Sequence, residues 1–396
     1  MGNKGTVFRL ETRHSPSGLN SYFTGAKLGF SDYVACTRHM LSDAYSRSGY
    51  GNVEKRVDGN APFELWPENY QSGNDKPFKR GVLLTHGLTD SPYFMRYLAK
   101  FFQQNGWRVM AILLPGHGTQ PGDLLNINYR EWIKSVAYGA GKLNDEVDEI
   151  YLAGLSTGAT LNLLQCIQDR RICGLFLFSP AIRISRRAAW ANVHKLYSWL
   201  LPSAKWLNIQ PDLDIYKYES FPKNAAYQTY SLTKKLRSQM RKYGLNVPVF
   251  AAASEDDVTV DSRATLEFMA GLRHPSSRLV YYKSDPSVPP PGIEGNKVET
   301  IGSVVPEQHI VSFSHLSVVL PQDDEHYGRH GEYSNCQHYY PEDLDKYNAC
   351  IGKSQNISQG EVTEKNLAAG IMRRLMYNPH FNELEISMQR FIDSLP

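Results

Sequence analysis

From residue 81 onward, short apolar runs alternate with helical segments, and this alternation restricts the fold more than any other feature of the sequence. Strands of a parallel sheet are covered by helices on both faces, so they appear as continuous apolar stretches. The sequence therefore predicts an α/β fold with a mostly parallel central sheet and helices on both faces. The predicted strands cover residues 81–85, 107–114, 149–153, 172–178, 247–253 and 279–282, with residues 304–314 as the last candidate.

The alternation of apolar runs and helical segments stops after residue 182 and resumes at residue 247. Within this stretch Trp190, Val193 and Tyr197 recur at helical spacing. We therefore expect a helical insertion at residues 183–246 that separates two halves of one core. The expected halves are residues 77–182 and 247–321.

The flanking segments lack the strand-helix pattern. A chain of 396 residues is long enough for two or three domains, or for one large α/β unit with additions. We expect the second arrangement, with three additions to the core. They are an N-terminal extension at residues 1–76 with one helix at 32–45, a polar insertion at 322–365, and a C-terminal amphipathic helix at 366–396.

The net charge and the lengths of the apolar stretches bear on whether the protein binds nucleic acid or spans a membrane. The 43 Lys and Arg residues exceed the 40 Asp and Glu residues by 3, which is too small an excess for a nucleic-acid-binding surface. No stretch of about 18 apolar residues occurs, and the first residues lack the apolar centre of a secretory signal. We expect neither a nucleic-acid partner nor a membrane-spanning segment.

Two of the 5 cysteines flank a polar, Tyr-rich segment. Cys336 and Cys350 either form a disulfide across this segment or remain two free thiols. A disulfide would favour an exported, periplasmic or extracellular protein, and free thiols a cytoplasmic one.

The strongest local motif is Gly154-Leu155-Ser156-Thr157-Gly158, which lies between a predicted strand and a predicted helix. A serine at such a tight turn projects its hydroxyl from the sheet edge, and the small flanking residues let the two backbones approach closely. The motif predicts Ser156 as a nucleophile; the alternative is an ordinary turn between two glycines.

A serine nucleophile needs a base and a carboxylate, and the α/β order is serine, acid, histidine. The acid is expected in the loop after strand 247–253, with Asp257 as first candidate and Asp256 as alternative. The base is expected to be His315, which follows the last candidate strand. His326, His330 and His338 also follow the acid, so order alone does not separate them.

A developing oxyanion needs two backbone donors. The glycine in His86-Gly87-Leu88 allows its loop to fold back, so the N–H of Leu88 can face the N–H of Thr157. His86 and His117 are expected to be structural. His326 and His330, four residues apart beside several acids, are an alternative cation site, but no ligand quartet is apparent and we expect neither metal nor cofactor.

Taken together, residues 81 to about 320 resemble the α/β-hydrolase superfamily, and within it the serine esterases and monoacylglycerol lipases with a helical lid. The matching segments are residues 86–89, 114–118, 154–158, Asp257 with 260–262, and 314–315. The resemblance implies Ser156 as nucleophile, His315 as base and Asp257 as its acid. It also implies an oxyanion hole from Leu88 and Thr157, and a lid at 182–246.

The sequence departs from the family pattern at Ala159, where a glycine is frequent, and at Ala253-Ser254, where a glycine usually introduces the acid loop. Because of the second departure, Asp256 remains an alternative to Asp257 as the acid. Residues before 79 and residues 322–359 have no counterpart in the family.

The expected activity is hydrolysis of carboxylic esters, either short to medium acyl esters or monoacylglycerols, through an acyl-enzyme. A peptidase or acyltransferase using the same triad and a non-catalytic binding scaffold are the alternatives. Arg183, Arg186 and Arg187 beside the apolar stripe 190–201 would suit a lid that contacts a lipid interface.

Overall fold

The computed structural model describes residues 10–68, 70, 78–184, 202–352 and 357–395, and its centre is an eight-stranded sheet. The strands run in the order β1-β3-β2-β4-β5-β8-β9-β10, with β1 antiparallel to β3 and all other neighbours parallel. This confirms the predicted mostly parallel sheet. The described strands are β1 (Phe63–Leu65), β2 (Phe78–Thr85), β3 (Arg108–Ile112), β4 (Val147–Leu155), β5 (Ile172–Phe178), β6 (Trp206–Asn208), β7 (Phe221–Pro222), β8 (Val249–Ser254), β9 (Arg278–Lys283), β10 (Val298–Gly302), β11 (Ser358–Gly360) and β12 (Met372–Arg374).

Helices cover both faces of this sheet. Adjacent residues of β4 point to opposite faces, and Leu152 and Ala153 are both fully buried, in different core clusters. The described helices are α1 (Phe30–Arg47), α2 (Val53–Asn60), α3 (Arg96–Gln104), α4 (Tyr129–Asn144), α5 (Thr157–Gln168), α6 (Lys223–Tyr243), α7 (Ser262–Gly271), α8 (Leu344–Ile351), α9 (Glu364–Ala368) and α10 (Phe381–Asp393). Residues of α4, α5, α6 and α7 join one cluster, and residues of α3 and α10 join the other.

The helix predicted at 32–45 is present as α1 and contacts the edge of the sheet. The hydroxyl of Tyr33 donates to the carbonyl oxygen of Leu113 and accepts from its N–H, at 3.2 and 3.1 Å. Because Tyr33 is buried, these bonds join the N-terminal segment to the backbone just after β3.

Two predicted elements are wrong. The last strand of the sheet is β10, whereas residues 304–314 form mostly loop around a short 3-10 turn at Pro306–Gln308. Pro306 cannot donate to a ladder, and His309 has a φ of 55°, so the chain turns where the strand was expected.

The continuous C-terminal helix is also absent. Residues 366–395 contain the end of α9, strand β12 and helix α10. Gly370 has a φ of 145°, outside the helical region, and Pro379 precedes α10, so both positions interrupt an otherwise amphipathic pattern.

The insertion at 183–246 is only partly helical in the residues described. Strands β6 and β7 form an antiparallel pair before α6, because Pro211, Asp212 with a φ of 52°, and Pro222 prevent a helix there. Arg183 pairs with Asp261 at 3.1 Å, so its charge is engaged within the protein. The predicted stripe 190–201 with Arg186 and Arg187 lies outside the described residues.

The polar segment after the core carries the disulfide Cys336–Cys350, with the two Cα atoms 5.9 Å apart, so of the two alternatives left open by the sequence the structure contains the disulfide. Both cysteines are buried with Tyr339 in a small cluster of their own. Among the described helices, none has the length and apolarity needed to cross a bilayer.

Candidate active site

Ser156 occupies a sharp turn between β4 and α5. Its φ of 52° and ψ of −112° are unfavourable for a residue with a Cβ atom. The flanking glycines are required by space: a Cβ on Gly158 would lie 2.1 Å from the carbonyl oxygen of Thr85, and one on Gly154 2.6 Å from the amide nitrogen of Ala159. Close packing of helix on strand therefore holds Ser156 in its strained conformation.

The structure brings Ser156, His315 and Asp257 into one line of hydrogen bonds. Nε2 of His315 lies 2.9 Å from Oγ of Ser156, and its Nδ1 lies 2.6 Å from Oδ2 of Asp257. Asp257 can only accept when ionised, so Nδ1 carries the proton and Nε2 accepts from the serine hydroxyl. The three residues are 7%, 4% and 7% exposed, which limits competition from water.

Asp257 is held as a carboxylate. Burial raises the pKa of its carboxyl group, but the charge and hydrogen bond of His315, the N–H of Val260 and the charge of Arg374 outweigh burial, so the net pKa is lowered. Its Oδ1 also accepts from the N–H groups of Thr259 and Val260, at 2.8 and 3.1 Å. Both carboxylate oxygens therefore have donors.

Asp256 points elsewhere. Its Oδ2 accepts from the hydroxyl of Ser303 at 2.8 Å, and burial raises the pKa of its carboxyl group. Of the two adjacent candidates, only Asp257 contacts His315.

The other candidate histidines lie in different surroundings. His338 contacts the carbonyl oxygen of Met372 at 3.1 Å, and His330 is exposed. His326 lies between Asp214 and Glu332, with 3.2 Å contacts from its two ring nitrogens. Across the described ranges no group of three or more His, Cys, Asp or Glu side chains has a geometry that could hold a metal ion.

His86 and His117 are buried and accept backbone hydrogen bonds. Nε2 of His86 accepts from the N–H of Leu114 at 3.0 Å, and Nε2 of His117 accepts from the N–H of Thr89 at 3.1 Å. Burial lowers the pKa of His117 to about 4 and the pKa of His86 well below its usual value. Both rings therefore stay neutral and bridge the loops after β2 and β3, as predicted.

The loop after β2 passes directly beside Ser156. A Cβ on Gly87 would lie 3.4 Å from Cβ of Ser156 and 2.2 Å from Oδ2 of Asp90. In the described part of the chain, the N–H groups of Leu88 and Thr157 donate no hydrogen bond. Both residues line the cavity at Ser156. Two free donors next to the serine are what an oxyanion needs.

The cavity above Ser156 has a volume of about 640 Å³. Its wall is largely apolar, with contributions from Leu88, Ile184, Leu207, Phe221, Val260 and Leu316. Lys217, Glu219 and Arg374 also line it, and none of them was predicted from the sequence. They belong to no motif, so no signal in the sequence pointed to them.

Two of these cavity residues have defined electrostatics. Lys217 forms an ion pair with the buried Asp90 and donates to the hydroxyl of Thr89 at 2.6 Å, which ties the insertion to the loop after β2. Burial raises the pKa of Glu219 to about 7, although the hydroxyl of Tyr333 donates to it at 2.5 Å.

Comparison with known proteins places this site in context. A family model described as Hydrolase_4: Serine aminopeptidase, S33 matches residues 76–284, a span that includes Ser156 and Asp257 but not His315. A thermostable monoacylglycerol lipase of Bacillus sp. (strain H-257) is 30% identical over 188 residues, which are 48% of this chain and 75% of the relative.

Two further similarities are more limited. A carboxylesterase of Bacillus subtilis (strain 168) is 32% identical over 94 residues, 22% of this chain and 38% of that protein. A solved structure from a study of the metagenome-derived lipolytic enzymes LipS and LipT has a TM-score of 0.47 and 21% identity, covering 56% of this chain and 87% of that one.

Proposed function

Because this chain belongs to the serine aminopeptidase S33 family of α/β-hydrolases, we propose that it hydrolyses carboxylic esters through an acyl-enzyme on Ser156. One observation carries the proposal: the continuous hydrogen-bond line from Ser156 through His315 to Asp257, at the floor of a largely apolar cavity. A serine hydroxyl with a neutral imidazole as acceptor can become a nucleophile at neutral pH.

In the proposed reaction, Oγ of Ser156 attacks the ester carbonyl carbon while Nε2 of His315 takes its proton. The negative charge on the carbonyl oxygen is stabilised by the N–H groups of Leu88 and Thr157. The tetrahedral intermediate then collapses, and His315 returns the proton to the departing alcohol. Water repeats the sequence on the acyl-enzyme, which releases the acid and restores the serine.

Two observations support a proposal for the substrate class, one from the cavity and one from the named relatives. A wall of Leu, Ile, Val and Phe side chains favours an acyl chain, since each buried CH₂ group contributes about 0.8 kcal/mol. One relative is named a monoacylglycerol lipase and another a carboxylesterase. We therefore propose short to medium acyl esters or monoacylglycerols as substrates.

A second candidate is peptide hydrolysis, because the matching family model is described as a serine aminopeptidase. The same triad can protonate an amine leaving group. Amino-acid p-nitroanilides, compared with p-nitrophenyl esters at equal enzyme concentration, separate the two activities. A higher kcat/KM on the anilides would favour the peptidase.

The main test is a hydrolysis profile over p-nitrophenyl esters of rising chain length, with Ser156→Ala as control. Labelling by a fluorophosphonate, read by intact mass, reports nucleophile activation without any assumption about the substrate. We expect one label on the wild-type protein and none on Ser156→Ala. Folded wild-type protein that neither hydrolyses an ester nor takes up the label would support the non-catalytic scaffold instead.

A further inference from the structure

Glu361 and Arg374 form an ion pair behind the triad, in which Glu361 is buried and the Arg374 side chain is 21% exposed. Both residues lie beyond the residues 76–284 that match the family model. Nε of Arg374 lies 2.9 Å from Oε1 of Glu361, and Nη2 donates to Oε2 at 3.1 Å. Glu361 directly follows β11 and Arg374 ends β12, and these two strands pair in parallel. The Glu361 side chain is almost completely enclosed, at 1% exposure.

Glu361 holds the loop that carries His315. The backbone N–H of His315 donates to Oε2 of Glu361 at 3.0 Å. The N–H of Glu361 in turn donates to the hydroxyl of Ser312 at 2.9 Å. The histidine loop is therefore bound to Glu361 at two positions, one of them the backbone of His315 itself.

Arg374 holds the loop that carries Asp257. Its Nη2 donates to the hydroxyl of Thr259 at 2.6 Å. The N–H of Thr259 donates to Oδ1 of Asp257 at 2.8 Å, on the carboxylate whose other oxygen contacts His315. One guanidinium thus reaches the acid loop and, through Glu361, the histidine loop.

We propose that Glu361 and Arg374 are positioning residues, a clamp that sets the distance between the Asp257 loop and the His315 loop. This inference rests on the proposed function. A buried ion pair contributes little net stability, because the cost of removing both charges from water offsets their attraction. A guanidinium that donates to a carboxylate holding one loop and to a hydroxyl on another does fix their geometry, and a displacement of about 1 Å at a catalytic group can cost about 100-fold in rate.

The clamp also assigns a role to the part of the chain that follows the residues 76–284 of the family match. Glu361 lies in the insertion predicted at 322–365, and Arg374 in the segment expected to be helix. Strand β11 additionally pairs with the histidine loop, since the N–H of Val311 donates to the carbonyl oxygen of Gln359 at 2.9 Å. The insertion and the following strand therefore complete the site from outside the residues 76–284 that match the family model.

The test compares Glu361→Gln and Arg374→Gln with two matched controls. Glu332→Gln removes a carboxylate of the same segment that pairs with Lys55 at the surface, at 2.8 Å. Arg373→Gln removes the neighbouring arginine, whose Nε donates to the carbonyl oxygen of Cys350 at 2.8 Å. We expect the clamp variants to lose about 10- to 100-fold in kcat and in the rate of fluorophosphonate labelling, with KM changed less than about threefold. The controls should keep both rates.

The pH profile separates positioning from a general loss of structure. The charged groups near His315 are Asp257, Glu361 and Arg374, and the same cavity is lined by Glu219 and by Lys217 with its partner Asp90. Glu361→Gln leaves the Arg374 cation uncompensated, so the acidic limb of kcat/KM should move to lower pH. Arg374→Gln leaves the Glu361 anion without its cationic partner, so the acidic limb of kcat/KM should move to higher pH. The double variant should return the acidic limb to its wild-type pH but should not restore the wild-type kcat.

Three results would overturn the clamp. The first is wild-type rates in Glu361→Gln and Arg374→Gln, and the second is a loss of rate no larger than that of the two controls. The third is a change in KM alone, which would make Arg374 a substrate contact. If either glutamine variant fails to fold, Arg374→Lys decides, because it keeps the charge but loses the planar guanidinium that donates to both Glu361 and Thr259. Wild-type kcat in that variant contradicts the proposal. A wild-type protein that takes up no fluorophosphonate would instead refute the proposed function.

Discussion

Nδ1 of His315 lies 2.6 Å from Oδ2 of Asp257, although 58 positions separate the two residues in the chain. The contact fixes the proton on Nδ1, so Nε2 presents its lone pair toward Ser156, whose Oγ is 2.9 Å away. The serine hydroxyl therefore has its acceptor in place before any substrate binds. Each side chain of this line can be tested by its own substitution.

Replacing Ser156 by Ala is expected to lower kcat for ester hydrolysis by at least about 10³-fold, because the variant lacks the hydroxyl on which the acyl-enzyme is proposed to form. The free energy of unfolding should change by less than about 1 kcal/mol. Ser156→Gly should be about 1 kcal/mol more stable than Ser156→Ala, since a φ of 52° is strained for a residue with a Cβ atom. Steady-state kinetics and urea unfolding measure both effects. Retained turnover in purified Ser156→Ala would remove this residue from the nucleophile role.

His315→Ala should lose activity to a similar extent, because the serine then has no acceptor for its proton. His326→Ala is the matched control, since that ring is also buried and also contacts a carboxylate, but its two nitrogens contact Asp214 and Glu332 and not Ser156. Fluorophosphonate labelling of both variants gives the comparison. A labelled His315→Ala together with an inert His326→Ala would reassign the base.

The two adjacent acids should behave differently. Asp257→Asn is expected to lower kcat by about 10³- to 10⁴-fold, because an amide can donate to Nδ1 and stabilise the wrong tautomer of His315. Asp256→Asn should leave kcat close to that of the wild type, since Asp256 contacts Ser303 instead. Equal losses in the two variants would contradict the assignment of Asp257.

His326 should make stability depend on pH. Burial lowers the pKa of His326, but hydrogen bonds and charges from Asp214 and Glu332 outweigh it, so the net pKa is raised. A raised folded-state pKa stabilises the protein below the unfolded pKa, and this stabilisation is lost as pH rises through the folded pKa. The difference in unfolding free energy between wild type and His326→Gln should therefore be larger at about pH 5.5 than at about pH 9. A difference that grows toward high pH would show that His326 is not held in its charged form.

Removing the disulfide should destabilise the polar segment. Cys336 and Cys350 are 14 positions apart, and a cross-link over a loop of that size contributes about 3 kcal/mol. The double variant Cys336→Ser/Cys350→Ser should unfold at a lower urea concentration than Cys173→Ser, which replaces a cysteine outside the disulfide. Equal midpoints for the two variants would mean that the bond does not form in the protein.

The predictions that the structure confirms came from short patterns in the sequence. The apolar runs predicted the parallel strands because burial on both faces leaves a continuous stretch in the sequence. The segment 154–158 predicted a strand-to-helix turn because the two glycines that such a turn needs both lie within five consecutive residues. The C-terminal pattern failed for a local reason too, since Gly370 and Pro379 interrupt an amphipathic repeat that otherwise matches a helix.

By itself, the sequence determined the mostly parallel sheet and the sharp turn at Ser156, because each apolar run and the segment 154–158 lie within a few consecutive residues. Only the tertiary structure showed that Asp257 and not Asp256 contacts His315, since adjacent side chains on a loop can point in opposite directions. It also showed that His315, and not His326 or His338, contacts Ser156, because that contact joins residues 159 positions apart. It also revealed Glu361 and Arg374. Their contacts join loops far apart in the chain, and no spacing within the sequence encodes such a meeting.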